Sequence, residues 1–204
     1  MNKLIIFDLW QTLADAKLHP SILIDVFPVK PELKDFLNAL STSDLFLKDI
    51  ELKNALRVFL LNFGINKESE IDEAISLWQK MTASSYLIDD AEDLISILKS
   101  KRVTLSILTN VDKYGWEHFP FLDFISKFDH VFLSYKEGIA KPDPKCWEEI
   151  RVRSGFDYKD MIMVGDNLEY DILPAQKLGI DSFQIQKEKG FKQLLEYLKI
   201  NSDA

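Results

Sequence analysis

The sequence contains very little cysteine: Cys146 is the only one among 204 residues. A single thiol excludes an internal disulfide and a zinc site built from several thiolates. No histidine lies near Cys146 in the sequence, so we expect its side chain to pack against a helix rather than to act in catalysis.

Long apolar runs are also missing. The longest ones are far too short to span a bilayer, and Asp8 interrupts the apolar N-terminal stretch that a secretory signal would need. We therefore expect a cytoplasmic protein with no membrane partner. No self-similar segment and no low-complexity tract divides the chain.

Positive charge is in deficit, because 25 Lys and Arg residues face 33 Asp and Glu residues, for a net charge of −8. Such a balance does not attract nucleic acid, which we do not expect as a partner. Hydrophobic residues make up 47% of the chain, and its length suits one core domain with a modest insertion. Aromatic residues at 12% are compatible with a self-association surface, and monomer and homodimer both stay open.

Short β-rich apolar runs alternate with segments of helical periodicity over most of the chain. This alternation predicts a doubly wound, Rossmann-like parallel sheet of the α/β class. The predicted strands are residues 4–7, 103–108, 131–133, 161–164 and 182–185. The helices predicted between and after them are residues 91–100, 116–128, 144–154, 172–178 and 191–200.

The segment 14–88 has helical periodicity and few strand signals, which predicts a small α-helical cap inserted into the core. Its predicted helices are residues 31–40, 49–63 and 68–81, and its hinges are residues 14–20 and 84–90. The core domain then comprises residues 1–13 and 89–204. Some large apolar side chains of the cap could line a substrate pocket or form the core of the bundle: Phe59, Phe63, Trp78, Met81 and Tyr86.

Polar side chains follow four of the predicted strands, at the point where each strand ends. Because the carboxyl ends of parallel strands meet at one edge of a sheet, these groups are expected to form one site. They are Asp8, then Thr109 and Asn110, then Lys141 after the strand that ends near Ser134, then Asp166 with Asp171 after Gly165.

This ordered set resembles the haloacid dehalogenase-like hydrolase superfamily, subfamily I, whose members carry a helical cap. The resemblance spans residues 3 to about 186. The family's Asp-x-Asp-x-Thr loop is matched at Asp8 and Thr12, and its Thr, Lys-Pro and Gly-Asp motifs are matched at Thr109, Lys141-Pro142 and Gly165-Asp166 with Asp171. The chain departs from the pattern where Trp10 replaces the second Asp and Gln11 replaces the usual glycine.

The resemblance implies a phosphatase that uses Mg²⁺ and acts on a small phosphorylated metabolite through an aspartyl-phosphate on Asp8. A hard cation would also relieve the repulsion among several gathered carboxylates. The implied metal ligands are Asp8, the backbone carbonyl of Trp10, Asp166 and Asp171. The implied catalytic residues are Asp8, Thr109 and Lys141, and the implied phosphate-binding residues are Thr12, Thr109, Asn110 and Lys141.

Trp10 puts the ordinary activity in question, because the second Asp of the family serves as general acid and base and indole can do neither. General acid–base assistance contributes typically about 10²–10⁴-fold, so weak or atypical phosphatase activity is expected. Asp15 and His19 are the nearest replacements, and both are more simply interpreted as linker residues. Two alternatives stay open: a 2-haloacid dehalogenase, although the first arginine is Arg57, and a non-catalytic protein that binds phosphate and Mg²⁺.

Overall fold

A five-stranded parallel sheet is the centre of the computed structural model, which describes residues 3–186 and 191–200. Residues 1–2, 187–190 and 201–204, which the sequence pattern assigns to the core, lie outside the described residues. The strands are β1 (Leu4–Phe7), β2 (Ala14–Ala16), β3 (Ser85–Leu87), β4 (Thr104–Thr109), β5 (His130–Leu133), β6 (Met161–Gly165) and β7 (Asp181–Gln184).

The described helices fall into two groups, one between β2 and β3 and one among the later strands. The first group contains a 3₁₀ segment (Pro20–Val26), α1 (Leu33–Ser41), α2 (Asp44–Leu47), α3 (Leu52–Leu61) and α4 (Glu68–Ala83). The second contains α5 (Ala91–Ser100), α6 (Lys113–Glu117), α7 (Leu122–Ile125), α8 (Ser134–Glu137), α9 (Lys145–Ser154), α10 (Leu173–Lys177) and α11 (Lys192–Tyr197).

The strand order β5-β4-β1-β6-β7 confirms the predicted doubly wound sheet. β1 lies in the middle and pairs in parallel with β4 on one side and β6 on the other. All four of its residues are buried, which is why it reads as an uninterrupted apolar run. The order of the strands reverses at β1, and ligands of such sheets bind beyond the carboxyl ends of the strands at that point.

Helices cover both faces of the sheet. Alternate residues of β1 enter different cores: Ile5 and Phe7 pack with α5 and α11, whereas Leu4 and Ile6 pack with α9 and α10. Cys146 of α9 is fully buried in the second core, as the sequence predicts, and burial raises the pKa of its thiol to about 12. None of the helices within the described ranges is long and apolar enough to cross a membrane.

The helical segment between β2 and β3 has its own hydrophobic core. Phe36, Leu56, Phe59 and Trp78 are nearly or completely buried in it. The three predicted helices are present, although α1, α3 and α4 differ from the expected bounds by up to three residues at an end. The 3₁₀ segment and α2 were not predicted, because each is too short to show a helical period.

The two expected hinges contain β2 and β3, which the sequence pattern did not predict. These strands form an antiparallel ribbon in which Ala14 pairs with Leu87 and Ala16 pairs with Ser85. Each strand has three residues, and Asp, Ser and Ala have low strand propensity. The ribbon therefore left no alternating pattern in the sequence.

One predicted helix near the site is wrong, and another is present but begins earlier than expected. The expected helix 116–128 is divided into α6 and α7, because Pro120 disfavours helical backbone in the residue before it. The expected helix 172–178 begins earlier, in a π-helical turn over Leu168–Ile172 that leads into α10. At the C-terminus, α11 is shorter than the predicted helix 191–200.

Candidate active site

Asp8 is the first residue beyond β1 and is 6% exposed. Its backbone N–H donates to the carbonyl of Val164 at 2.9 Å, so the pairing with β6 continues to this point. The chain then turns sharply, because the carbonyl of Leu9 accepts the N–H groups of Leu13 and Ala14, both at 2.9 Å. Gln11 has a positive φ of 60° in this turn, a conformation that glycine adopts at less cost.

Lys141 connects two carboxylates in the buried centre of the site. Its Nζ donates to Asp8 Oδ1 at 2.6 Å and to Asp171 Oδ1 at 2.5 Å. Lys141 is 5% exposed and Asp171 is 1% exposed, so these ion pairs are shielded from water. Burial by itself lowers the pKa of Lys141, but the carboxylates of Asp171 and Asp8 outweigh it and hold that pKa above its ordinary value.

The same surroundings make Asp8 harder to ionise. Burial raises the pKa of Asp8 to about 7, Lys141 opposes that rise, and the carboxylates of Asp171 and Asp166 add to it. One lysine thus faces three acids. The site in the described chain carries an excess of negative charge that a divalent cation would balance.

Asp8, Asp166 and Asp171 fit a hard cation. One carboxylate oxygen from each lies within 4.8 Å of the others. Mg²⁺ takes oxygen ligands at about 2.1 Å, so opposite ligands are about 4.2 Å apart. The three acids would therefore have to draw closer together to share one ion, and an all-oxygen donor set is the one that Mg²⁺ prefers.

The turn after β6 holds Asp171 against Lys141. The N–H of Asn167 donates to Asp171 Oδ2 at 3.1 Å, and the side-chain oxygen of Asn167 accepts the N–H groups of Glu169 and Tyr170. A Cβ at Gly165 would lie within van der Waals overlap of the Asp171 carboxylate, so only glycine fits there. The close approach of Asp171 explains the glycine at residue 165, and the hydrogen bonds of Asn167 begin the π-helical turn, a feature found frequently at functional sites.

Two threonines line the same centre. Thr109, the last residue of β4, is fully buried, and its Oγ1 has no hydrogen-bond partner within the described part of the chain. An unsatisfied buried hydroxyl is costly, so this atom is suited to a ligand oxygen. The Oγ1 of Thr12 lies 3.5 Å from Asp8 Oδ2 and 3.5 Å from Asp166 Oδ1, at the limit of a hydrogen bond to each.

Asn110 has a different geometry from the phosphate contact expected of it. Its side-chain nitrogen donates to the carbonyl of Lys141 at 2.9 Å, and its side-chain oxygen accepts the N–H of Lys141 at 2.9 Å. The amide of Asn110 therefore fixes the backbone that carries the lysine. Nearby, Ser134 Oγ bonds both the N–H and the carbonyl of Val111, which holds the two loops together.

The turn over residues 8–13 is called loop one. A cavity of about 220 Å³ lies beside this centre, between loop one, the β2–β3 ribbon, the helical segment and the loop after β4. Trp78 and Met81 line it, whereas Phe59 is buried in the helical core and Tyr86 is 41% exposed. The residues lining the cavity are Trp10, Gln11, Asp15, Ala16, Leu18, His19, Pro20, Phe46, Trp78, Met81, Thr82, Ser85, Asn110, Val111, Asp112 and Gly115.

Asp112 is a buried acid in the cavity wall that the sequence did not indicate. It is 4% exposed, and its carboxylate accepts the indole N–H of Trp78 at 3.2 Å and the N–H of Gly115 at 2.8 Å. Burial raises the pKa of Asp112 to about 6, although these hydrogen bonds oppose the rise. In the sequence Asp112 is indistinguishable from an ordinary helix N-cap, which it also is.

A family model describing haloacid dehalogenase-like hydrolases matches residues 2–179. The chain belongs to this family. The match covers the segments that carry Asp8, Thr109, Lys141, Asp166 and Asp171, which are the groups that the fold brings together.

Curated relatives of the chain are archaeal proteins named glyceraldehyde 3-phosphate phosphatase. The one from Pyrococcus furiosus is 33% identical over 119 residues, which are 57% of this chain and 50% of the relative. The one from Pyrococcus abyssi is 30% identical over 102 residues, or 48% of this chain and 43% of the relative. The chain thus spans about half the length of these two relatives. The relative from Methanopyrus kandleri is 22% identical over 93% of this chain and 86% of its own length.

Solved structures share the fold at low identity. A family enzyme from Bacteroides thetaiotaomicron, in complex with magnesium and inorganic phosphate, has a TM-score of 0.66 and 19% identity over 94% of this chain and 98% of its own. A predicted family hydrolase from Porphyromonas gingivalis has a TM-score of 0.70 and 18% identity over 98% of both chains. A 2-haloacid dehalogenase from Pseudomonas syringae has a TM-score of 0.61 and 20% identity, covering 93% of this chain and 88% of its own.

Proposed function

We propose that this protein is a Mg²⁺-dependent phosphatase that hydrolyses a small phosphorylated metabolite through an aspartyl-phosphate on Asp8. The observation that carries the proposal is the buried cluster in which Lys141 joins Asp8 to Asp171 and in which Asp166 completes a set of three acids. The phosphatase names of the archaeal relatives and the magnesium and phosphate bound by the Bacteroides enzyme support it.

We assign the metal to Asp8, Asp166, Asp171 and the backbone carbonyl of Trp10. When bound, Mg²⁺ would neutralise part of the charge that otherwise keeps an anionic nucleophile and an anionic phosphate apart. The main-chain ligand is unaffected by the side chain at residue 10, so the replacement of the family's Asp leaves this assignment intact.

The side chains of the site then have separate roles in the reaction. A carboxylate oxygen of Asp8 attacks phosphorus, the bond to the leaving oxygen breaks, and water later cleaves the aspartyl-phosphate to restore Asp8. Lys141 counters the charge on Asp8 and on the phosphate, and the Thr109 hydroxyl donates to a phosphate oxygen. The Thr12 hydroxyl contacts the carboxylates and the phosphate. The Asn110 side chain fixes the backbone of Lys141.

We also assign residues 14–88 as a cap over a core of residues 1–13 and 89–204. The separate hydrophobic cluster of the helical segment supports this division. Trp78 of that segment and Asp112 of the core both line the cavity, which supports a substrate site between the two parts.

Trp10 favours one competing function, a 2-haloacid dehalogenase, because a halide leaves without a proton. Against it, dehalogenases of the family pair their nucleophile with an early arginine. The first arginine here, Arg57, donates to Glu68 at 2.8 Å on the exposed side of the helical segment. A non-catalytic protein that binds phosphate and Mg²⁺ is the third possibility, in which the Trp10 indole occupies the place of the acid.

One assay separates the three. Phosphate release from an aryl phosphate is measured with and without Mg²⁺, beside chloride release from 2-chloropropionate. We expect Mg²⁺-dependent phosphate release that Asp8→Asn abolishes and that Asp123→Asn, at an exposed position of α7, leaves unchanged. Chloride release without metal would support the dehalogenase instead, and no turnover of either compound would support the binding protein.

A further inference from the structure

The cavity beside Asp8 is lined mostly by apolar surface. Three of the side chains that line it are aromatic: Trp10, Phe46 and Trp78. The cavity lies next to the reacting groups, because two residues that line it, Trp10 and Gln11, closely follow Asp8 in loop one. On the opposite side, Asn110 follows Thr109 and binds the backbone of Lys141. A phosphoryl group held at Asp8 would thus have its leaving group beside this cavity.

The size of the cavity limits the leaving group. A void of roughly 150 Å³ is enough for benzene, so about 220 Å³ accommodates one substituted six-membered ring. A sugar or nucleoside would also have to satisfy several hydroxyl groups against largely apolar walls, at a cost of about 1–3 kcal/mol for each unpaired group.

The charged residues that line the cavity limit the charge that the ring can carry. Asp112, Asp15 and His19 line the cavity, and the described lining residues include no lysine or arginine. A second carboxylate or phosphate on the substrate would therefore face two acids and one imidazole, so that repulsion outweighs attraction. An uncharged or basic ring is compatible with these walls.

The replacement of the family's acid by Trp10 is an independent chemical reason to expect an aromatic leaving group. An alcohol has a pKa near that of water, about 15.7, and leaves poorly without a proton. A phenol has a pKa of about 10 and leaves as phenolate. Hydrolysis of an aryl phosphate therefore depends less than that of an alkyl phosphate on a general acid, the group that Trp10 has replaced.

We propose that the cavity walled by Trp10, Phe46 and Trp78 selects phosphomonoesters whose leaving group is an aromatic ring without a second negative charge. In the reaction the Asp8 oxygen forms a bond to phosphorus, and the bond between phosphorus and the aryl oxygen breaks with its electron pair on the phenolate. Solvent protonates the phenolate, and water then releases inorganic phosphate from Asp8. This inference rests on the proposed phosphatase function.

The test compares four substrates with Mg²⁺ present: phenyl phosphate, 4-carboxyphenyl phosphate, glycerol phosphate and acetyl phosphate. The last has a good leaving group but no ring. We expect kcat/KM for phenyl phosphate to exceed that for glycerol phosphate at least 100-fold and that for 4-carboxyphenyl phosphate at least tenfold. Calorimetry with phenylphosphonate should show tighter binding than with methylphosphonate.

A filled cavity provides the matched variant. Ala16→Leu places a larger side chain in the cavity, and Ala83→Leu places the same side chain at the exposed end of α4. Ala16→Leu should lower kcat/KM for phenyl phosphate at least tenfold more than it lowers kcat/KM for acetyl phosphate. Ala83→Leu should leave kcat/KM unchanged for both substrates. Circular dichroism checks that Ala16→Leu folds, and the substrate series on the unmodified protein decides the matter if it does not.

The outcomes distinguish the two proposals. Hydrolysis of acetyl phosphate that requires Asp8, with no preference for phenyl over glycerol phosphate or with equal losses in Ala16→Leu, overturns the aromatic selectivity alone. If none of the four phosphates is hydrolysed, the phosphatase function itself fails, and the selectivity fails with it.

Discussion

At the scale of single residues, Trp10 has the largest consequence for activity. It packs edge-to-face on Phe119 with the ring centroids 5.7 Å apart, and it lines the cavity beside Asp8. The indole therefore contributes to packing and shape, but its N–H is too weakly acidic to protonate a leaving oxygen. A substitution that restores an acid at this position separates these roles.

We expect Trp10→Asp to raise kcat for an alkyl phosphate such as glycerol phosphate at least tenfold, toward the 10²–10⁴-fold typical of general acid–base assistance. Trp10→Asn is the matched control, because it removes the same indole without supplying an acid. Steady-state phosphate release on both variants measures the effect. An equal rise in the two variants, or none in a folded Trp10→Asp protein, would contradict the assigned defect.

Gly165 permits the close approach of Asp171, so Gly165→Ala should displace that carboxylate from Lys141. We expect the free energy of unfolding to fall by about 1–3 kcal/mol from overpacking and phosphate release to fall with it. Gly179→Ala is the control: it has a positive φ of 79° but open space, so it should lower stability by strain without lowering activity. Normal kcat/KM in Gly165→Ala would argue against a role for Asp171.

The residues that the sequence could indicate are those at strand ends. Asp8, Thr109 and Asp166 each follow a buried apolar run, and the fold brings the ends of those runs together. The contacts made by Asn110 and Asp112 could not be predicted in this way. Asn110 bonds a backbone 31 residues away and Asp112 a side chain 34 residues away, and no local pattern encodes either partner.

At the scale of elements, strands of four to six residues with continuous apolar character were predictable, whereas β2 and β3 were not. A central parallel strand is buried on both faces, so nearly every residue reports its environment. A three-residue ribbon has no period to detect. The break between α6 and α7 and the π-helical turn before α10 depend on Pro120 and on the hydrogen bonds of Asn167, which act against local helical periodicity.

Asp112 joins two elements, since it caps α6 and accepts the indole N–H from α4. Its pKa is raised in the folded protein from 3.8 to about 6, so the folded state binds the proton more tightly than the unfolded chain. Its contribution to stability is therefore complete below about pH 4 and is lost as the pH rises through 6. At about 1.4 kcal/mol per pKa unit, the loss is at most about 3 kcal/mol.

We expect the stability of the unmodified protein relative to Asp112→Asn to fall as the pH rises from 4 to 7. Urea unfolding of both proteins at several pH values measures the difference, in which the other titrating groups largely cancel. Asp123→Asn, at an exposed site, should show a flat difference over the same range. A flat difference for Asp112→Asn would show that its carboxyl has no raised pKa in the folded state.

At the scale of the whole molecule, the helical segment contacts the core through packing of α2 on α8 and through polar pairs. Trp78 bonds Asp112, and Lys113 of α6 donates to Asp49 and Glu51 at 3.1 and 2.9 Å. Exposed ion pairs of this kind are typically worth at most about 1 kcal/mol. These exposed pairs therefore add little to the free energy that holds the helical segment against the core.

We expect the three acids of the site to make the stability of the molecule depend on a cation. In the absence of a divalent ion, Asp8, Asp166 and Asp171 repel one another, and Lys141 offsets only part of that repulsion. An ion that binds the folded state alone stabilises it by about 2.7 kcal/mol at 100 times its dissociation constant. We therefore expect Mg²⁺ to raise the thermal unfolding midpoint relative to EDTA. Asp171→Asn should lose most of this rise and Asp123→Asn should keep it, whereas equal stabilisation of all three proteins, or no calorimetric uptake of Mg²⁺, would remove the metal from the proposed site.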